Sequence, residues 1–85
     1  MKQFQFKIKD PVGIHARPAG IVVQEAKKFQ STITAKCNGK SADLKRIFTV
    51  MALGAKCGNI LDVQVSGPDE DAAAAAIKST LESKL

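Results

Sequence analysis

The chain has no tryptophan and no tyrosine, four phenylalanines, two cysteines and one histidine among its 85 residues. Each scarcity removes a class of function. With Phe the only aromatic, and with no RNP-like or zinc-finger pattern to place bases or enter a groove, no nucleic-acid partner is expected. Cys37 and Cys57 form no CxxC pair, and two cysteines with one histidine fall a ligand short of a closed structural zinc site. Nothing around them indicates secretion, so reduced thiols are expected in place of a disulfide. No apolar run nears the roughly 20 residues of a membrane span, and Met1-Lys2-Gln3-Phe4 opens directly into an alternating pattern without a signal-peptide segment. A cytoplasmic protein with no direct membrane insertion is the expectation. There is also no Walker-type glycine loop, no carboxylate cluster for magnesium and no second base near the histidine in sequence. The chain therefore lacks the machinery of an enzyme, and neither cofactor nor metal is expected.

Acid is the remaining deficit. Thirteen Lys and Arg stand against eight Asp and Glu, a net charge of +5 that favours acidic partners. Apolar residues make up 45% of the chain, enough for a folded core, and a chain this short cannot divide that core, so residues 1–85 are expected to form a single domain.

Hydrophobic periodicity divides the chain into seven elements. Met1 to Lys9 alternates with Phe4, Phe6 and Ile8 on one face, predicting a strand buried on one side. Asp10-Pro11-Val12-Gly13 breaks it. From Ala16 to about Phe29 the apolar positions Ala19, Val22, Val23, Ala26 and Phe29 follow helical spacing. Pro18 suits a first turn, where an N–H has no partner to lose. Ser31 to Cys37 alternates again, Asn38-Gly39 signals a type I′ turn, and Lys40 to Asp43 returns as an edge strand. Leu44 to Leu53 has helical spacing and stops at Gly54. Asn59 to Ser66 supplies a fourth strand through Leu61, Val63 and Val65. Acidic Asp69, Glu70 and Asp71 then start an alanine-rich helix that runs through Ile77, Leu81 and Leu85, with Lys78 and Lys84 towards its end.

The order βαββαβα predicts an α+β open-faced sandwich: a four-stranded antiparallel sheet of order 1-4-2-3, three helices on one face and solvent on the other. The second helix is too short to bury Ile47, Phe48 and Met51 together with Val50 and Leu53. An exposed apolar patch edged by Lys45, Arg46 and Lys56 is the expected result, and such a patch suits protein docking; a fully buried helix is the alternative that periodicity leaves open.

The lone histidine sits where a loop turns into the first helix. Helix-start N–H groups lack intrahelical partners and the macrodipole is positive there, so an anion on His15 would meet donors and a favourable field. Arg17 adds a planar cationic fork. Neutral imidazole is nucleophilic, and a phosphorylated imidazole readily gives the group up again. These residues suit a carrier that receives and passes on a phosphoryl group, with its partners supplying the catalysis.

Gly13-Ile14-His15-Ala16-Arg17-Pro18 resembles the active-site signature of HPr, the histidine-containing phosphocarrier family of the bacterial sugar phosphotransferase system. Length, element order, the Asn38-Gly39-Lys40 hairpin and the stretch Leu44 to Gly54 resemble that family as well. The resemblance implies that His15 takes phosphate at Nδ1 from enzyme I, which is charged by phosphoenolpyruvate, and passes it to sugar-specific IIA domains. It implies that Arg17 steadies the phosphate and that Ala16, Gly20, Ile47, Phe48 and Met51 bind partners, the protein acting as a monomer. Two positions depart from the family pattern: Val12 stands where many members have Asn or Ser, and Arg46 stands where members subject to a regulatory HPr kinase carry serine. A regulatory relative that only binds partners would be expected to lack His15. A small nucleic-acid binder would instead show affinity that falls steeply with salt.

Overall fold

The computed structural model describes all 85 residues. Its elements are β1 (Lys2–Lys7), α1 (Ala16–Ala26), β2 (Thr32–Cys37), β3 (Lys40–Asp43), α2 (Ile47–Ala52), β4 (Ile60–Ser66) and α3 (Glu70–Lys84). The sheet runs β1-β4-β2-β3 with every neighbour antiparallel, as the element order predicts. Val63 of the central strand pairs with Phe4 on one side and Ala35 on the other, while Gln64 lies between Gln3 and Thr34. This one-residue alternation sends Phe6, Ile33, Ala35, Leu61, Val63 and Val65 into the core and the polar set to the open face.

The three helices cover the other face. Ala19 and Ala26 of α1 and Ala73 of α3 are fully buried, and such small side chains let helices lie close to each other and to the sheet. Ile77 and Leu81 carry the apolar payload of α3, each contributing about 2 to 3 kcal/mol by burial. Cys37 is buried and free, and burial pushes its thiol pKa up, while Cys57 is exposed and free. No helix is long and apolar enough to cross a membrane.

Three boundaries depart from the periodicity. Helix α1 stops at Ala26, short of Phe29, because Lys28 N–H bonds the Glu25 carbonyl and Phe29 N–H bonds that of Ala26, tightening the chain out of the α-helix. Phe29 still packs half-buried against the core. Helix α2 starts at Ile47, not Leu44: the Asp43 carboxylate accepts Lys45 N–H at 2.9 Å and the Asp43 carbonyl accepts Arg46 N–H at 3.0 Å, making a turn first. Leu44 is nevertheless buried. Phe4, expected in the core, is only half-buried on edge strand β1. At the β2–β3 hairpin, Asn38 and Gly39 adopt φ of 54° and 78°, the left-handed pair that a type I′ turn requires.

Candidate functional site

The loop from β1 to α1 is clamped at both ends. At its start, Lys9 and Asp10 N–H groups donate to the Leu85 backbone oxygen at 2.8 and 2.7 Å. Asp10 then closes the turn, its Oδ1 accepting Val12 N–H at 2.8 Å and its carbonyl accepting Gly13 N–H at 3.0 Å. The loop thus obtains a side-chain acceptor from Asp10 although Val12 has none to offer. At its far end, Ile14 N–H donates to the Ala55 carbonyl at 3.0 Å. Gly13 has φ of 79°, and a Cβ there would lie 2.6 Å from the Ala55 oxygen and 2.8 Å from the Lys56 Cα, so glycine is required on both counts.

His15 follows in extended conformation as the N-cap of α1. Its carbonyl accepts Ala19 N–H at 3.0 Å, while its ring makes no capping bond and remains half-exposed. Ala16 and Arg17 are exposed in the first turn, where N–H groups lack intrahelical acceptors, and Pro18 brings no N–H and packs inward. No acid occupies this turn to neutralise the positive helix end. A shallow depression of about 180 Å³ opens here, lined by Asp10, His15, Arg17, Pro18, Ile21 and Lys84. None of the four ion pairs in the chain involves Arg17, so its guanidinium is available to an anion.

The apolar patch lies on α2. Phe48 is 84% exposed and Met51 42%, whereas Val50 and Leu53 of the same segment are buried. Ile47, expected in the exposed set, is half-buried and packs against the core. Its Cδ1 lies 3.8 Å from where a Cβ on Gly20 would stand, so α1 and α2 approach closely. Gly20 of α1 is thus the expected docking residue that the structure sets against Ile47 of α2. Arg46 is the exposed N-cap of α2, its Nε 4.0 Å from an Asp43 carboxylate oxygen. Sequence reasoning gave Lys84 no role beyond complementing the dipole of α3. Only the meeting of the last turn of α3 with the first turn of α1 places it at the depression.

Residues 2–83 match the family described as PTS HPr component phosphorylation site. The chain belongs to the HPr family. The phosphocarrier protein HPr of Mycoplasma genitalium is 46% identical over 83 residues, spanning 96% of this chain and 94% of that protein. A solved Mycoplasma histidine-containing phosphocarrier protein superposes with a TM-score of 0.94 at 44% identity, covering 96% of this chain and 93% of that one. HPr-C-His from Thermoanaerobacter tengcongensis gives 0.92 at 39% identity, covering 99% and 94%. A member of this family is a phosphocarrier of the phosphotransferase system rather than an enzyme.

Proposed function

We propose that His15 is the phosphoacceptor, taking a phosphoryl group at Nδ1 from enzyme I, itself charged by phosphoenolpyruvate, and passing it to sugar-specific IIA domains for sugar uptake. The observation that carries this reading is the N-cap position of His15: its ring makes no capping bond and lines a depression with Arg17 at an uncapped helix start. In the transfer, an Nδ1–P bond forms as the donor's bond to phosphorus breaks. The first-turn N–H groups of α1 and the Arg17 fork then hold the phosphoryl oxygens. The reverse exchange hands the group to the next acceptor. No base or metal need come from this chain, because the partner supplies the activation.

Residues 1–85 form one phosphocarrier domain in this reading, cytoplasmic and monomeric. Among the exposed large apolar residues Met1, Val12, Phe48, Met51 and Ile60, only Phe48 and Met51 share an element. Such a small apolar surface suits transient docking with successive partners rather than a permanent interface. Incubation with enzyme I and phosphoenolpyruvate should add one acid-labile phosphate by mass. His15→Ala should take none while keeping its fold, and acid-labile phosphate on that variant would overturn the assignment.

A further inference from the structure

We propose that Lys84 is a second phosphate-holding cation of the His15 site, an inference that rests on the reading of His15 as phosphoacceptor. Lys84 ends α3 and lines the same depression as His15 and Arg17, although 69 positions in sequence separate it from His15. It takes part in none of the chain's ion pairs. Asp10, the one acidic side chain lining the depression, has an oxygen committed to Val12 N–H. An anion entering here therefore finds two unpaired cations from two different elements.

The backbone that carries Lys84 is pinned in place. Leu85 next to it is buried, its N–H donates to the Leu81 carbonyl at 2.8 Å, and its backbone oxygen accepts the N–H groups of Lys9 and Asp10. The same two N–H groups begin the loop that delivers His15, so the position of Lys84 relative to the imidazole is set by hydrogen bonds and buried apolar contact. Only its side-chain rotamers remain to be ordered by an anion.

Charge balance gives this cation a purpose. A phosphorylated imidazole presents a group of nearly two negative charges, whereas Arg17 and the helix terminus together offer about one and a half positive charges, the latter share being the partial charge of the dipole. The Asp10 carboxylate on the same depression enlarges that deficit, and Lys84 reduces it. As a flexible point charge it can follow the phosphoryl group as a partner approaches, while the Arg17 fork orients it.

Two measurements test this. The unphosphorylated protein is titrated with inorganic phosphate while the Ala16 and Arg17 amide signals are followed by NMR. Lys84→Ala should weaken phosphate binding about two- to five-fold, Lys84→Glu should weaken it more, and Lys84→Arg should retain it. The phosphorylated protein is then followed as water attacks phosphorus, the N–P bond breaks, and imidazole and inorganic phosphate separate. The phosphohistidine of Lys84→Glu should decay about two- to five-fold faster than that of the unsubstituted protein, with Lys84→Arg close to normal. Because Lys84 is exposed, melting temperatures should stay alike, which separates this role from a structural one. Phosphate affinity and phosphohistidine lifetime both unchanged in Lys84→Glu would overturn the proposal. If His15 never acquires acid-labile phosphate while phosphate binding still depends on Lys84, the anion site stands and the phosphoacceptor reading falls.

Discussion

The Ser31 hydroxyl donates to the Asp69 carboxylate at 2.5 Å, tying the connection between α1 and β2 to the residue that begins α3. The Ser31 and Gln30 N–H groups donate to the same carboxylate at 2.9 Å each. Asp69 thus caps a neighbouring segment and leaves its own helix without a side-chain cap. Gly67 lies so near that a Cβ there would fall 2.6 Å from the Ser31 Cα.

This junction makes stability sensitive to acid. The Ser31 hydroxyl, and after it the Gln30 N–H, hold the Asp69 carboxyl below the usual range. A carboxyl with a depressed folded pKa adds stability that is fully present above its unfolded value of about 3.9 and is lost as pH falls through the lower folded value. Denaturant unfolding followed from about pH 6 to pH 2 should show this loss. Asp69→Asn should flatten the profile over that window, and a profile unchanged by the substitution would remove Asp69 from the account.

Gly13→Ala forces a Cβ into the Ala55 carbonyl and a side chain into left-handed backbone. The expected cost is about 1 to 3 kcal/mol, read from chemical denaturation. Because the strain falls two residues before His15, phosphate uptake should slow more than the stability loss explains. Wild-type rates of phosphorylation in the folded variant would show that the loop tolerates a different path.

Phe48→Ala and Val50→Ala separate docking from packing on one short helix. Phe48 is 84% exposed, so its truncation should change stability by less than about 0.5 kcal/mol while weakening partner binding at least several-fold. Val50 is 2% exposed, and its truncation should cost about 1 to 3 kcal/mol. Calorimetric binding to a IIA domain beside thermal melts of both variants is the check. A destabilised Phe48→Ala with intact binding would reverse the assignment of the two faces.

Arg46 offers no hydroxyl at the position where the family resemblance implies a regulatory serine. Nearby Thr49 is engaged, its hydroxyl 2.7 Å from the Asp43 carbonyl oxygen and 2.8 Å from that of Arg46. Treatment with an HPr kinase, ATP and magnesium should leave no acid-stable phosphate, whereas stoichiometric phosphoserine or phosphothreonine would show that another hydroxyl serves. Arg46→Ser should stabilise the domain by about 0.5 to 1 kcal/mol, since serine is a favoured N-cap and a cation leaves the positive end of α2.

Strand and helix identity, the Asn38-Gly39 turn and the sheet order were legible in the sequence because each depends on short-range pattern or on chain connectivity. Alternation over a few residues decides which face of a strand is buried, and Pro18 with Gly13 marks where α1 begins. The signature around His15 was legible for the same reason: its histidine, arginine and proline are near neighbours in the chain. Helix ends were less so. Phe29 keeps the helical spacing but lies beyond the helix, because hydrogen bonding around Glu25 and Ala26 overrides periodicity. The half-burial of Ile47 and Phe4 depended on which neighbours reached them. Only tertiary structure set Ser31 against Asp69, Gly13 against Ala55 and Lys84 beside His15. Those pairs join segments that become adjacent when the helices dock on the sheet, and the docking angle is decided by packing among Ala19, Ala26, Ala73 and the strands beneath them, a sum over the whole core that no local period encodes.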